Sequence, residues 1–289
     1  MKTVILGNGF IASHLPYEKI PDRVDLSNIV TILNRYKPDC IVNTIGYGGM
    51  PNIDSCEIEK EKTVIANTII PALLAIECEK LGIHMVHIGS GCVFNGVSPN
   101  YTLIFPEPNG QPIKSDIGWK ETDLANPQSF YSNTKYAADL VMAQNQLLTN
   151  LRIRMPISPK NHPRNFVTKI RGYKRVIDEP NSVTFTADLV RCIDWVIKEH
   201  KIGTYHVVNP QPLTAAQVMR EYQKYHPEHK FEVISTEELD KITAAKRSNC
   251  VLNTEKLNKA GFIMTPSKEA LERCMAEYIE NIERGLNGE

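Results

Sequence analysis

Tyr131 and Lys135 stand four residues apart in Ser129-Phe130-Tyr131-Ser132-Asn133-Thr134-Lys135, and no other of the eleven tyrosines has a lysine at that offset. On a helix this spacing puts both side chains on one face. An ammonium beside a phenol favours phenolate and draws its pKa below ~10, which gives a proton donor usable near neutral pH. Gly89-Ser90-Gly91-Cys92-Val93-Phe94 is a second set, placed after an apolar run. Ser90 can hydrogen-bond a carbonyl oxygen, and Cys92, two residues on, can face the same cleft. The plainer reading of Ser90 is a cap or turn residue, and that of Cys92 is a small buried hydrophobe. A third set is Gly7-Asn8-Gly9-Phe10-Ile11-Ala12, whose glycines let the backbone approach a pyrophosphate at a helix N-terminus. A fourth is Pro163-Arg164-Asn165-Phe166-Val167-Thr168-Lys169 together with Arg247-Ser248-Asn249, where Arg and Asn suit a diphosphate or simply a solvated face. His84/His87 and His226/His229 are each three apart with no evident third ligand, so no metal is expected.

Elements of two kinds must hold these groups in place. Thr3–Leu6 ends at Gly7, Cys40–Ile45 at Gly46, and Met85–Ile88 at Gly89; each apolar run reads as a strand buried on both faces of a parallel sheet. A helix is expected over about 57–81, with Val64, Ile65, Ile69, Leu73, Leu74, Ile76 and Leu81 buried and Pro71 as a kink. Further helices are expected over 129–148, 187–199, 215–225 and 268–286, with strands at 151–155 and 204–208. Alternating strands and helices predict an α/β fold, a doubly wound parallel sheet of the dinucleotide-binding type. The stretch 95–128 has no period and is rich in Pro, Gly, Asn and Ser, so it reads as a functional lid. Pro16 falls early in the first expected helix, and the second strand is marked only by Arg23-Val24-Asp25. The usual selector there is an acid for a 2′-hydroxyl or an Arg for a 2′-phosphate, and Asp22, Arg23 and Asp25 compete for it.

The 289 residues carry 33 Lys+Arg and 33 Asp+Glu, which speaks against nucleic acid as main partner. Seven widely spaced cysteines without a CxxC pattern fit a reducing compartment. No membrane segment or signal peptide is expected, so the chain reads as cytoplasmic.

Glycine-rich turn, Ser-x-Cys after a strand and Tyr-x-x-x-Lys, in that order, resemble the extended short-chain dehydrogenase/reductases. The segments NTIGYGGMPNIDSCE (43–57), GSGCVF (89–94), IGWKETD (117–123), SFYSNTK (129–135), RIRMPIS (152–158), PRNFVTKI (163–170) and RSNCVL (247–252) are similar to the UDP-4-keto-6-deoxyglucose 3,5-epimerase/4-reductases, the UDP-L-rhamnose synthases. Pro156, Pro159 and Pro163 break the strand–helix pattern, which places there the change from a Rossmann-type domain over 1–156 to a smaller C-terminal substrate-binding domain over 157–289, with part of 178–210 returning to the first. The resemblance implies Ser90, Tyr131 and Lys135 as the reductase triad and Cys92 with Lys169 as the epimerase pair. Gly7, Gly9, Phe10, Ile11, Arg23, Asp25, Gly46, Lys135 and Pro156 would bind the cofactor; Asn165 and Arg247 would lie near the UDP diphosphate. NADP(H) is the expected cofactor, through Arg23, with NAD(H) as the alternative. A UDP-sugar is the expected substrate and a homodimer the expected assembly. The competing readings are a 4-ketosugar reductase in which Cys92 is inert, and a non-catalytic NAD(P)-sensing protein.

Overall fold

The computed structural model describes residues 1–98 and 118–285. Six parallel strands form its centre: β1 (Thr3–Leu6), β2 (Glu18–Lys19), β3 (Cys40–Asn43), β4 (His84–Ser90), β5 (Leu148–Ile153) and, later in the chain, β9 (Gly203–His206). Their order is β2-β1-β3-β4-β5-β9. Every residue of β3 and β4 is buried, as a sheet covered by helices on both faces requires. One face packs Ile5, Val42, Val86 and Leu151 against Leu189, Ile193 and Val196 of the helix Thr186–Lys198. The other packs Val4, Ile41 and Met85 against Ile32 and Leu33 of the helix Ile29–Tyr36 and Leu74 and Cys78 of the helix Ile70–Leu81. The order and the parallel pairing make this a Rossmann-type α/β fold.

Between β5 and β9 the chain leaves the sheet. It forms β6 (Pro156–Ile157), β7 (Arg175–Ile177) and β8 (Thr184–Phe185); β6 pairs with β8, and β7 with β10 (Glu232–Ile234). A separate core gathers there, where Val167, Ile170 and Val218 meet Leu271, Met275 and Tyr278 of the terminal helix Ser267–Glu283.

Several expectations need correction. No full helix follows the glycine-rich turn: Ala12–His14 is a single 3-10 turn. Pro16 forces Leu15 into extended backbone (φ −88°, ψ 138°), which ends the turn and lays the chain at once beside β1. The second strand is therefore Glu18–Lys19, ahead of the expected 23–25. Ile76 and Leu81 of the long helix face outward, at 42% and 45% exposure. That helix is also split, because Ile65–Ile69 is a π-helical turn between α-helical stretches. Pro71 has no N–H to give the Asn67 carbonyl four residues back, so the register widens just before it. The expected helix over 129–148 stops at Met142, and β5 starts three residues earlier than expected, at Leu148. Most of the expected lid, residues 99–117, lies outside the described residues.

Candidate active site

The carboxyl ends of β1, β3, β4 and β5 open onto one cavity of about 970 Å³. Ser90 is the last residue of β4 and also a cap, accepting the Cys92 backbone N–H at 3.2 Å. That bond closes the 3-10 turn Gly91–Val93, and Cys92 lines the cavity from it. Tyr131 and Lys135 come from the helix Phe130–Met142, whose N-terminus is capped by the Ser129 hydroxyl. Both line the same cavity, so the cap and catalytic readings of Ser90 are compatible.

The π turn has a visible purpose at this site. It presents the buried Asn67 side chain to the loop after β3, where Asn67 accepts the Tyr47 N–H at 2.7 Å and donates to the Tyr47 carbonyl at 2.8 Å. Asn67 also donates to Thr134 Oγ1 at 3.2 Å, and Thr68 donates to the Thr134 carbonyl at 2.7 Å. The loop carrying Gly46 is thereby fixed against the helix carrying Lys135. A Cβ on Gly46 would lie 3.5 Å from Lys135 Nζ.

The electrostatics differ from what the Tyr/Lys spacing alone suggests. Burial pushes the Tyr131 phenol upward, Cys92 adds to the rise, and a hydrogen bond with Ser90 opposes it. Burial thus outweighs the draw toward phenolate that the spacing suggests. Lys135 is buried and lowered to about 8 by desolvation, with Asp139 and Cys92 acting in the opposite sense. Its Nζ donates to the Ile88 carbonyl at 3.5 Å.

Lys169 reaches the cavity from the helix Phe166–Ile170. Desolvation, then the neighbouring Arg164 and Arg247 charges, lower its pKa. Arg247 also lines the cavity and is held by Asp54 at 2.7 and 2.9 Å. Asn165 does not reach it. It is fully buried, caps the helix Phe166–Ile170, and donates to the Ser158 and Lys160 carbonyls at 2.7 Å each. With its amide spent on its own loop, Asn165 cannot meet a diphosphate; the adjacent Arg164 lines the cavity instead.

Of the expected cofactor residues, Gly9, Phe10, Ile11, Gly46, Lys135 and Pro156 line the cavity. Gly7 sits beneath it at φ +103°, where a Cβ would come within 2.6 Å of Thr44 Oγ1. Gly9 has nothing within 4 Å of its Cβ position, which is the open cradle a pyrophosphate needs. Arg23 and Asp25 are exposed beyond β2 and are not among the cavity residues. Asp25 instead caps its own turn, accepting from Ser27 at 2.7 and 2.8 Å.

Arg154 was not foreseen. It follows β5, is 1% exposed, and donates to Cys92 Sγ at 3.0 Å. Arg152 and Arg154, two apart at the end of a central strand, were the available signal, because a buried arginine needs partners.

Sheet order, glycine cradle and Ser/Tyr/Lys set together define a short-chain dehydrogenase/reductase of the extended type. The chain belongs to the family described as the RmlD substrate binding domain, whose profile matches residues 11–280. It is 32% identical over 256 residues to the bifunctional dTDP-4-dehydrorhamnose 3,5-epimerase/dTDP-4-dehydrorhamnose reductase of Arabidopsis thaliana, covering 88% of this chain and 81% of that protein. It is 34% identical over 250 residues to the trifunctional UDP-glucose 4,6-dehydratase/UDP-4-keto-6-deoxy-D-glucose 3,5-epimerase/UDP-4-keto-L-rhamnose-reductase of the same plant. There the match covers 86% of this chain but only 36% of the longer relative. The crystal structure of the L780 UDP-rhamnose synthase from Acanthamoeba polyphaga mimivirus superposes with a TM-score of 0.84 at 28% identity, covering 96% of this chain and 99% of that one. The chain is thus an oxidoreductase similar to the 4-dehydrorhamnose reductases, a family that uses NAD(P)H. No helix among the described residues is long and apolar enough to cross a membrane.

Proposed function

We propose that the chain converts UDP-4-keto-6-deoxy-D-glucose to UDP-L-rhamnose by 3,5-epimerisation followed by NADPH-dependent reduction at carbon 4. The observation that carries this reading is that Cys92 and Lys169, from separate segments, line the same cavity as Ser90, Tyr131 and Lys135. A reductase alone needs only the last three. The glycine cradle, the Gly46 loop, Lys135 and Pro156 fit a dinucleotide laid across the sheet end.

The 4-ketone acidifies the hydrogens on carbons 3 and 5. One group removes a proton from one face and another returns a proton to the opposite face. The lowered Lys169 suits the first task. Ser90 and Tyr131 donate hydrogen bonds to the oxygen that carries charge in the enolate. Held by the Gly9 turn, the Gly46 loop, Lys135 and Pro156, NADPH would supply the hydride for carbon 4 after both centres are inverted. Tyr131, held as a neutral phenol by burial, protonates the resulting oxygen. Arg164 and Arg247 bring positive charge toward the diphosphate, with the Arg247 fork held by Asp54 and the Arg164 fork by the Gly48 and Gly49 carbonyls.

The test is incubation with UDP-4-keto-6-deoxyglucose and NADPH in D2O, with the product read by NMR. UDP-L-rhamnose carrying deuterium at carbons 3 and 5 is expected. A product reduced at carbon 4 with its original configuration at both centres would leave a reductase in which Cys92 is inert.

A further inference from the structure

The Arg154 guanidinium is among the largest fully buried side chains, yet among the described residues no carboxylate pairs with it. Arginine stays protonated in proteins, so a full positive charge is held at the cavity wall. Its hydrogen-bond partners among the described residues are neutral oxygens and one cysteine sulfur. Nη1 donates to Cys92 Sγ at 3.0 Å and to Ser248 Oγ at 2.9 Å. Nη2 donates to Asn181 Oδ1 and to the Ser248 carbonyl at 2.8 Å, and Nε has no partner among the described residues. Arg152, two residues earlier, is different: Asp139 pairs with it at 2.8 Å. Leaving a buried charge without an opposite one is costly, and an anion forming beside it would offset that cost. The sulfur it touches belongs to the one cysteine of the seven that is not buried. Among the described residues, Tyr131, Lys135, Cys250 and Arg154 are the titratable and charged groups that face Cys92.

We propose that Arg154 is the positioning residue for Cys92 in epimerisation: it aims the sulfur into the cavity and neutralises the thiolate left when Cys92 gives its proton to the sugar ring. This rests on the epimerase reading above and adds to it the source of charge balance. Lys169 in its amine form takes the proton from the carbon beside the ketone, and the C–H electron pair becomes the enolate, with its charge on the oxygen at carbon 4. Cys92 S–H then bonds its proton to that carbon from the opposite face as the enolate returns to ketone. The carbon is inverted, and a thiolate paired with Arg154 and a lysine ammonium remain. Proton exchange through water restores both, and no redox partner is consumed.

Two measurements test this on the whole chain loaded with NADP⁺, so that exchange occurs without reduction. One is deuterium uptake at carbons 3 and 5 of UDP-4-keto-6-deoxyglucose. The other is the rate of Cys92 carbamidomethylation by iodoacetamide at pH 7, read on its peptide by mass spectrometry with Cys92→Ala as blank. Arg154→Gln, which keeps an amide donor but loses the charge, should slow deuterium uptake by about 100-fold and alkylation by about tenfold. Arg154→Lys, which keeps the charge but not the fork, should recover about tenfold in uptake over Arg154→Gln. A role limited to bracing Asn181 and Ser248 predicts that both variants fail alike, and that result overturns the proposal. If Arg154→Gln does not fold, a folded Arg154→Lys that exchanges no faster than Cys92→Ala overturns it equally. Wild-type protein that takes up no deuterium sinks the epimerase reading itself. Full wild-type uptake in Arg154→Gln removes only the role of Arg154.

Discussion

Burial moves Tyr131 and Lys135 in opposite directions, and in the proposed mechanism both movements serve proton delivery. The phenol is pushed up, so it stays protonated and acts as an acid; the ammonium is lowered to about 8, so it can pass a proton near neutral pH. Replacing Tyr131 with Phe removes only that acid. NADPH oxidation should fall by ~10²–10⁴ while NADPH affinity, followed by fluorescence titration, stays near that of the wild type. Turnover within a few-fold of wild type would remove Tyr131 from the mechanism. Lys169 allows a second check through pH. As the proposed base it works deprotonated, so the limb of deuterium uptake that it controls must rise with pH. Because desolvation and two arginines lower its pKa, that rise should be centred below the ~10.4 of a free lysine. Lys169→Gln should lose the rise. A wild-type profile flat between pH 7 and 9.5 would assign the proton removal to another group.

At the scale of elements, the glycine-rich turn separates two roles that the motif merges. Gly7 has φ +103° and no room for a Cβ beside Thr44, whereas Gly9 has open space around its Cβ position. Gly7→Ala should therefore destabilise the fold, by roughly 1–3 kcal/mol of backbone strain. Gly9→Ala should leave the melting temperature nearly unchanged but weaken NADPH binding, because its methyl enters the space left for the pyrophosphate. Equal effects of the two substitutions on melting temperature would contradict this division. What could be seen in advance followed from periodicity. Runs such as Cys40–Asn43 and Met85–Ile88 have few ways to be buried other than as inner strands, so the sheet was legible. The two-residue β2 was not, since a strand of Glu18-Lys19 carries no apolar pattern. The π turn was legible only as a kink at Pro71, because the sequence does not say that Asn67 needs the wider register to reach Tyr47. Asn165 was misread for a related reason. A helix cap and a phosphate donor use the same side chain, and only the fold shows that its hydrogen bonds are already taken.

Across the whole molecule, four of the eight histidines are held neutral inside or against the sheet. Burial lowers His14 and His84 to about 4, and lowers His87 and His206 well below the usual value. Their bonds suit the neutral ring. His14 bridges the Phe10 carbonyl and Ser158 at 2.7 Å each, which joins the glycine-rich turn to the segment after β6. His84 contacts Thr149 Oγ1 at 2.8 Å between β4 and β5. An unfolded histidine takes up its proton near pH 6.5, whereas these folded ones resist until about 4 or lower. Between those values the unfolded chain binds more protons than the native one, so stability must fall as pH falls. The stabilisation is fully present above about 6.5 and is gone once pH passes below the folded values. This window lies above that of the paired carboxylates such as Asp54, whose contribution is lost only below about 4. The melting temperature should accordingly drop between pH 6.5 and 4.5, before carboxylate titration contributes. His84→Gln, which can keep a hydrogen bond to Thr149 but cannot titrate, should flatten the slope whatever it does to stability at pH 7. A melting temperature constant from pH 6.5 to 4.5, or a His84→Gln slope equal to that of the wild type, would show that these buried rings do not govern acid stability.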